Sequence, residues 1–120
     1  MMNVKELYTA IHGDYEGVLS RMMKDERIEK YLGKFLESPD YDKMHEALAA
    51  QNYPDAFRFV HNLKGISLNM GFTELAKVSS DLCETMRPGV APKVDITDML
   101  AAVDAEYAFT VAEINKAKQA

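Results

Sequence analysis

Apolar residues recur at three- and four-residue intervals along almost all of this chain, and no stretch alternates strictly between apolar and polar. A helix turns about 100° per residue and a strand about 180°, so this spacing commits the chain to helices, each with one apolar stripe. Val4, Leu7, Tyr8 and Ile11 outline a short first helix ending near Gly13. Asp14 can cap a second helix, which carries Val18, Leu19 and Met22. Ile28, Tyr31, Leu32, Phe35 and Leu36 make a third from about Asp25. Ser38-Pro39-Asp40 then breaks and restarts the chain, because proline fits a first helical turn but not an interior. Tyr41, Met44, Ala47 and Leu48 mark a fourth helix, which Asn52-Tyr53-Pro54-Asp55 closes.

A fifth helix is predicted from about Pro54 to Met70, with Gly71 placed to end it in a left-handed conformation. The sixth follows at once, its seam formed by Phe72, Leu75, Ala76, Ser79, Leu82, Cys83 and Met86. Arg87-Pro88-Gly89 through Pro92 reads as the one clear loop. The last helix begins between Asp95 and Asp98 and presents Met99, Leu100, Val103, Tyr107, Val111 and Ile114. The pattern predicts an all-α protein: an antiparallel four-helix bundle with short additional N-terminal helices over one end. At 120 residues, residues 1–120 read as a single domain able to bury a core without staples.

Composition removes several function classes. One cysteine excludes an internal disulfide framework and a multi-cysteine zinc site. The longest apolar run, Met99 to Val103, is too short for a membrane span, and Lys5 and Glu6 stand where a signal peptide needs apolar residues. The expectation is a soluble, cytoplasmic monomer. Net charge is −5, and Lys24, Arg27, Lys30 and Lys34 are interleaved with Asp25, Glu26 and Glu29, so no positive face for nucleic acid is expected. His12, His45 and His61 lack the close helical spacing of metal ligands. Cys83 and the methionines Met44, Met70, Met86 and Met99 fall on core stripes and read as packing.

The fifth helix carries the informative pattern. With His61 at zero on a helical wheel, Ala56, Phe59, Leu63, Ile66 and Met70 lie within about 40° of the opposite pole, a buried stripe. Phe57, Arg58, Lys64, Gly65 and Leu68 lie within about 60° of His61 itself. The histidine thus belongs to the solvent face. Lys64 places a cation one turn away, beside anything negative attached to the imidazole. Gly65 costs a helix interior about 1 kcal/mol relative to alanine, which makes sense where a side chain would block approach to the ring. Phe57 and Leu68 add apolar surface that a purely solvated face does not need. A reactive nitrogen, a cation, an open approach and an apolar surround describe a docked transfer site.

His61-Asn62-Leu63-Lys64-Gly65, followed by Asn69-Met70-Gly71, Leu75 and Leu82, resembles the histidine-containing phosphotransfer (HPt) domain family. The family pattern is H-x-L-K-G, a glycine ten residues after the histidine, and leucines entering the next helix. Val60 departs from the small residue common before the histidine, and Pro39 splits what is commonly one long helix. The resemblance implies a phosphorelay intermediate: His61 accepts a phosphoryl group from a receiver-domain aspartate and passes it to another receiver. It implies Lys64 as the stabiliser of phosphoryl charge and Phe57, Arg58, Gly65 and Leu68 as the partner-binding ring. It implies no cofactor on this chain, Mg²⁺ being supplied by the receivers of response regulators and hybrid sensor kinases. No P-loop or kinase glycine-rich loop is present, so neither ATP binding nor enzymatic kinase activity is expected. The competing reading is a helical interaction module that binds receivers or other partners without phosphotransfer.

Overall fold

Helix ends follow from local chemistry. In the computed structural model, which describes residues 2–119, seven helices run in the order α1 (Val4–Ala10), α2 (Tyr15–Met22), α3 (Asp25–Glu37), α4 (Asp40–Ala49), α5 (Tyr53–Asn69), α6 (Thr73–Thr85) and α7 (Thr97–Lys118). Asn3, Asp14 and Asn52 cap α1, α2 and α5 by accepting from the backbone N–H of Glu6, Gly17 and Asp55. Between α3 and α4, Ser38 is extended and Pro39 occupies the cap position of α4. The break foreseen at Ser38-Pro39-Asp40 is present.

Four helices form the bundle. α5 packs between α4 and α6, α6 packs on α7, and α4 closes the ring against α7. At that closure the Tyr41 and Tyr107 rings stack at 3.8 Å and 4°. The Tyr41 hydroxyl donates to Asp104 Oδ1, and His45 Nε2 lies 2.6 Å from the same oxygen. Burial and the hydrogen bond to Asp104 both push the Tyr41 phenol well above its usual range. The core behind this edge includes Met44, Leu63, Leu75, Leu82, Met86, Val103 and Ile114, and Cys83 is buried with them. No helix among the described residues is long and apolar enough to cross a membrane.

The N-terminal helices seal one end. Tyr8 is fully buried and its hydroxyl donates to the Met70 carbonyl at 2.6 Å. Gly71 has φ +72°, so Phe72 N–H reaches the Ser67 carbonyl at 2.8 Å and the chain turns sharply into α6. A Cβ on Gly71 would stand 2.7 Å from the Asp14 carbonyl oxygen, so glycine is needed for conformation and for space. Arg21 donates from Nε and Nη2 to the Leu68 and Asn69 carbonyls, satisfying the last turn of α5 from α2.

Two stripes differ from the sequence expectation. On α5 and its cap the buried residues are Ala56, Val60, Leu63, Ser67 and Met70, whereas Phe59 and Ile66 are only half-buried. The core-facing direction is rotated by about 40° toward Val60 and Ser67. The reason is that α5 is clasped by helices on both sides, and its contact face centres between α4 and α6. On α3, Tyr31 remains 39% exposed and carries the Lys34 ammonium 5.0 Å above its ring. It covers the helix edge and does not enter the core.

Candidate functional site

α5 presents His61 near mid-helix on its exposed side, flanked along the same surface by Phe57, Lys64 and Leu68. Leu68 is 57% exposed, a large share for a leucine inside a helix. Phe57 is half-buried: one edge packs against the core, and its ring stacks on the His61 imidazole with centroids 5.8 Å apart and planes inclined by 26°. Its exposed placement on the wheel is therefore only half the story. Phe57 also anchors the ring of His61 to the bundle.

Gly65 is exposed, and a Cβ built on it meets nothing within 4 Å. Packing gives no reason for glycine there, while an alanine would stabilise the helix by about 1 kcal/mol. The space above Gly65 is open toward solvent beside His61, as the reading of an unobstructed approach requires.

The ring of neighbours divides in two. Phe57, Lys64 and Leu68 lie on the α6 side of His61, whereas Arg58 turns to α4. Arg58 lines the α4–α5 groove with Phe59, its guanidinium 4.5 Å from the Phe59 ring centre and 3.4 Å from Asp55 Oδ1. The cation that joins the Phe57–His61 stack comes from the turn just after α6. Arg87 sits over the Phe57 ring, 5.5 Å from its centre, and donates to both carboxylate oxygens of Glu84 at 2.8–3.2 Å. That hydrogen bonding draws the exposed Glu84 carboxyl below its ordinary range, with the Arg87 and Lys64 charges adding to the effect. In the sequence Arg87 reads only as the start of a loop. Its one signal there is the i, i+3 spacing from Glu84, which is too common to single out.

His12 and His45 are placed differently. His12 lies in the turn after α1, and His45 is tied to Asp104 between α4 and α7. Among the described residues no three His, Cys, Asp or Glu side chains cluster as metal ligands. His61 is the histidine that sits exposed on a helix face with Lys64 one turn away and open space over Gly65.

A family model for the Hpt domain matches residues 30–106, well over half of the 120-residue chain. The chain belongs to the Hpt domain family. No curated protein and no solved structure matches it. The matched span runs from within α3 into the first part of α7, so it includes all of α4, α5 and α6 and leaves α1 and α2 outside. Hpt domains are phosphocarrier modules of two-component phosphorelays that work with receiver domains, and they are not kinases. At this level the function of the chain is histidine phosphotransfer in signal transduction.

Proposed function

We propose that His61 is the phosphoryl carrier, taking the group from a receiver aspartate and delivering it to a second receiver. The observation that carries this reading is the exposed imidazole of α5 with Lys64 one turn away and empty space over Gly65. The donor is an aspartyl phosphate, a mixed anhydride. A neutral ring nitrogen of His61 attacks phosphorus, the N–P bond forms, and the P–O bond to the aspartate breaks, releasing its carboxylate. The reverse sequence delivers the group to the second receiver. Such transfers need in-line positioning and charge stabilisation and little covalent machinery from the protein. In this reading the receiver brings its aspartate and Mg²⁺.

Each neighbour then has a task. The stacked Phe57 ring restrains the imidazole, whose free rotation would otherwise be lost on docking. Lys64 supplies positive charge to the transferring oxygens, an effect that strengthens once the docked partner excludes water. Leu68 and the exposed edge of Phe57 are apolar anchors for the receiver. Arg58 and Arg87 stand on opposite sides of this surface, where rim charges act on encounter and partner choice.

Incubation with phosphorylated receiver domains tests the reading against the competing one. A carrier acquires a stoichiometric, acid-labile phosphoryl adduct and loses it to an unphosphorylated second receiver. A module that only binds receivers forms a complex and acquires no label.

A further inference from the structure

A cleft of about 330 Å³ opens beside Lys64, between α5, α6 and α2 with its cap Asp14. Its walls bring together three cations, Arg21, Lys64 and Lys77, with Asp14 as the one carboxylate, in a chain whose net charge is −5. None of the three is ion-paired among the described residues, and Asp14 is already engaged as the cap of α2. Arg21 is held in place by its bonds to the Leu68 and Asn69 carbonyls, which use Nε and Nη2 and leave Nη1 without a partner among the described residues.

Two further features point to an anionic ligand. The 13-residue helix α6 begins at this cleft with Thr73, and its cap residue Phe72 gives no side-chain hydrogen bond, so the first-turn N–H groups are not capped by a side chain. Ser67 lines the cleft from α5, is fully buried, and its hydroxyl finds no partner among the described residues. A buried hydroxyl left in this condition is costly, and an acceptor in the cleft, met by a change of serine rotamer, relieves it. Leu68, Gly71 and Ala76 line the remaining wall with apolar surface.

We propose that this cleft binds a small phosphate monoester, its dianionic head among Arg21, Lys64 and Lys77 and the start of α6, and its apolar body against Leu68 and Ala76. The phosphate supplies three acceptor oxygens for the ammonium, guanidinium and hydroxyl donors that converge there. The cleft volume lies at the lower end of the range for small-molecule sites. Because Lys64 is shared with the face of His61, an occupied cleft draws the ammonium from the phosphorylation site. That consequence alone rests on His61 being the carrier.

Amide NMR titration of the unphosphorylated full chain tests the site whatever the role of His61. Phenyl phosphate is the probe, with phenol and inorganic phosphate as controls. The expected result is a saturable shift of the Lys64, Ser67, Gly71 and Lys77 amides with phenyl phosphate, weaker binding of inorganic phosphate and none of phenol. Lys77→Ala, at an exposed position, weakens the affinity by about three- to fivefold. Ser67→Ala weakens it by about tenfold without lowering the melting temperature. Shifts that never saturate, equal binding of phenol or inorganic phosphate, or unchanged affinity in both variants overturn the site. Saturating phenyl phosphate should also shorten the lifetime of the phosphorylated domain. An unchanged lifetime with binding intact overturns the sharing of Lys64 and leaves the site standing.

Discussion

Replacing Gly65 by leucine separates what the helix needs from what the transfer needs. A Cβ at this exposed position meets no atom within 4 Å, so a longer side chain can extend into solvent. Glycine is about 0.8–1 kcal/mol less favourable than alanine in a helix interior and leucine is close to alanine, so the variant gains about 0.5–1 kcal/mol. Unfolding entropy is about 2 cal/mol/K per residue, near 0.25 kcal/mol/K for this chain length, which converts the gain to a rise of about 2–4 °C in melting temperature. Transfer moves the other way. Reacting atoms must come to about 3–3.5 Å, and a displacement of about 1 Å costs on the order of 100-fold in rate. A leucine extends further than that from the backbone, so phosphoryl transfer from a receiver should fall by at least about 100-fold, with Gly65→Ala intermediate. Thermal unfolding by circular dichroism and rapid-quench labelling read the two effects. A more stable variant that accepts phosphate at the normal rate refutes an approach across Gly65, and a lower melting temperature refutes the open space above it.

Lys64→Ala should leave the melting temperature nearly unchanged, since the cation is not ion-paired, while hydrolysis of the phosphorylated domain accelerates; a wild-type lifetime reassigns Lys64 to general surface charge. Gly71→Ala should destabilise the fold by about 2–4 kcal/mol, the sum of a left-handed alanine and a contact of 2.7 Å with the Asp14 carbonyl; a loss below about 1 kcal/mol in denaturant unfolding contradicts the turn geometry. Ser79→Ala should stabilise by about 1 kcal/mol, because the Ser79 hydroxyl is fully buried without a partner and alanine is the better helix former; destabilisation on the same assay shows that the hydroxyl has an unrecognised partner.

The helices and most of the core were legible because each element has its own local signal. Asp14 caps α2, Pro39 restarts the chain at α4, Gly71 turns α5 into α6, and every residue of the expected α6 seam from Phe72 to Met86 is buried. The exposure of His61 was legible for the same reason, being a property of one helix. What escaped depends on how helices meet. Val60 and Ser67 are buried while Phe59 and Ile66 are half-exposed, because the contact face of α5 is set by α4 and α6 together. Arg87 reaches Phe57 across the α5–α6 interface, and Arg21 reaches the end of α5 from a helix 47 to 48 residues earlier. Periodicity within one helix carries no information about such pairings.

The central claim is that His61 carries the phosphoryl group, and direct mapping of the adduct tests it most closely. The domain is labelled from a phosphorylated receiver, digested under alkaline conditions that preserve phosphohistidine, and sequenced by mass spectrometry alongside a His61→Gln variant. The predicted result is one acid-labile phosphoryl group, on His61, with His12 and His45 unmodified and no label in the variant. Label on another residue, or stoichiometric labelling of His61→Gln, contradicts the account.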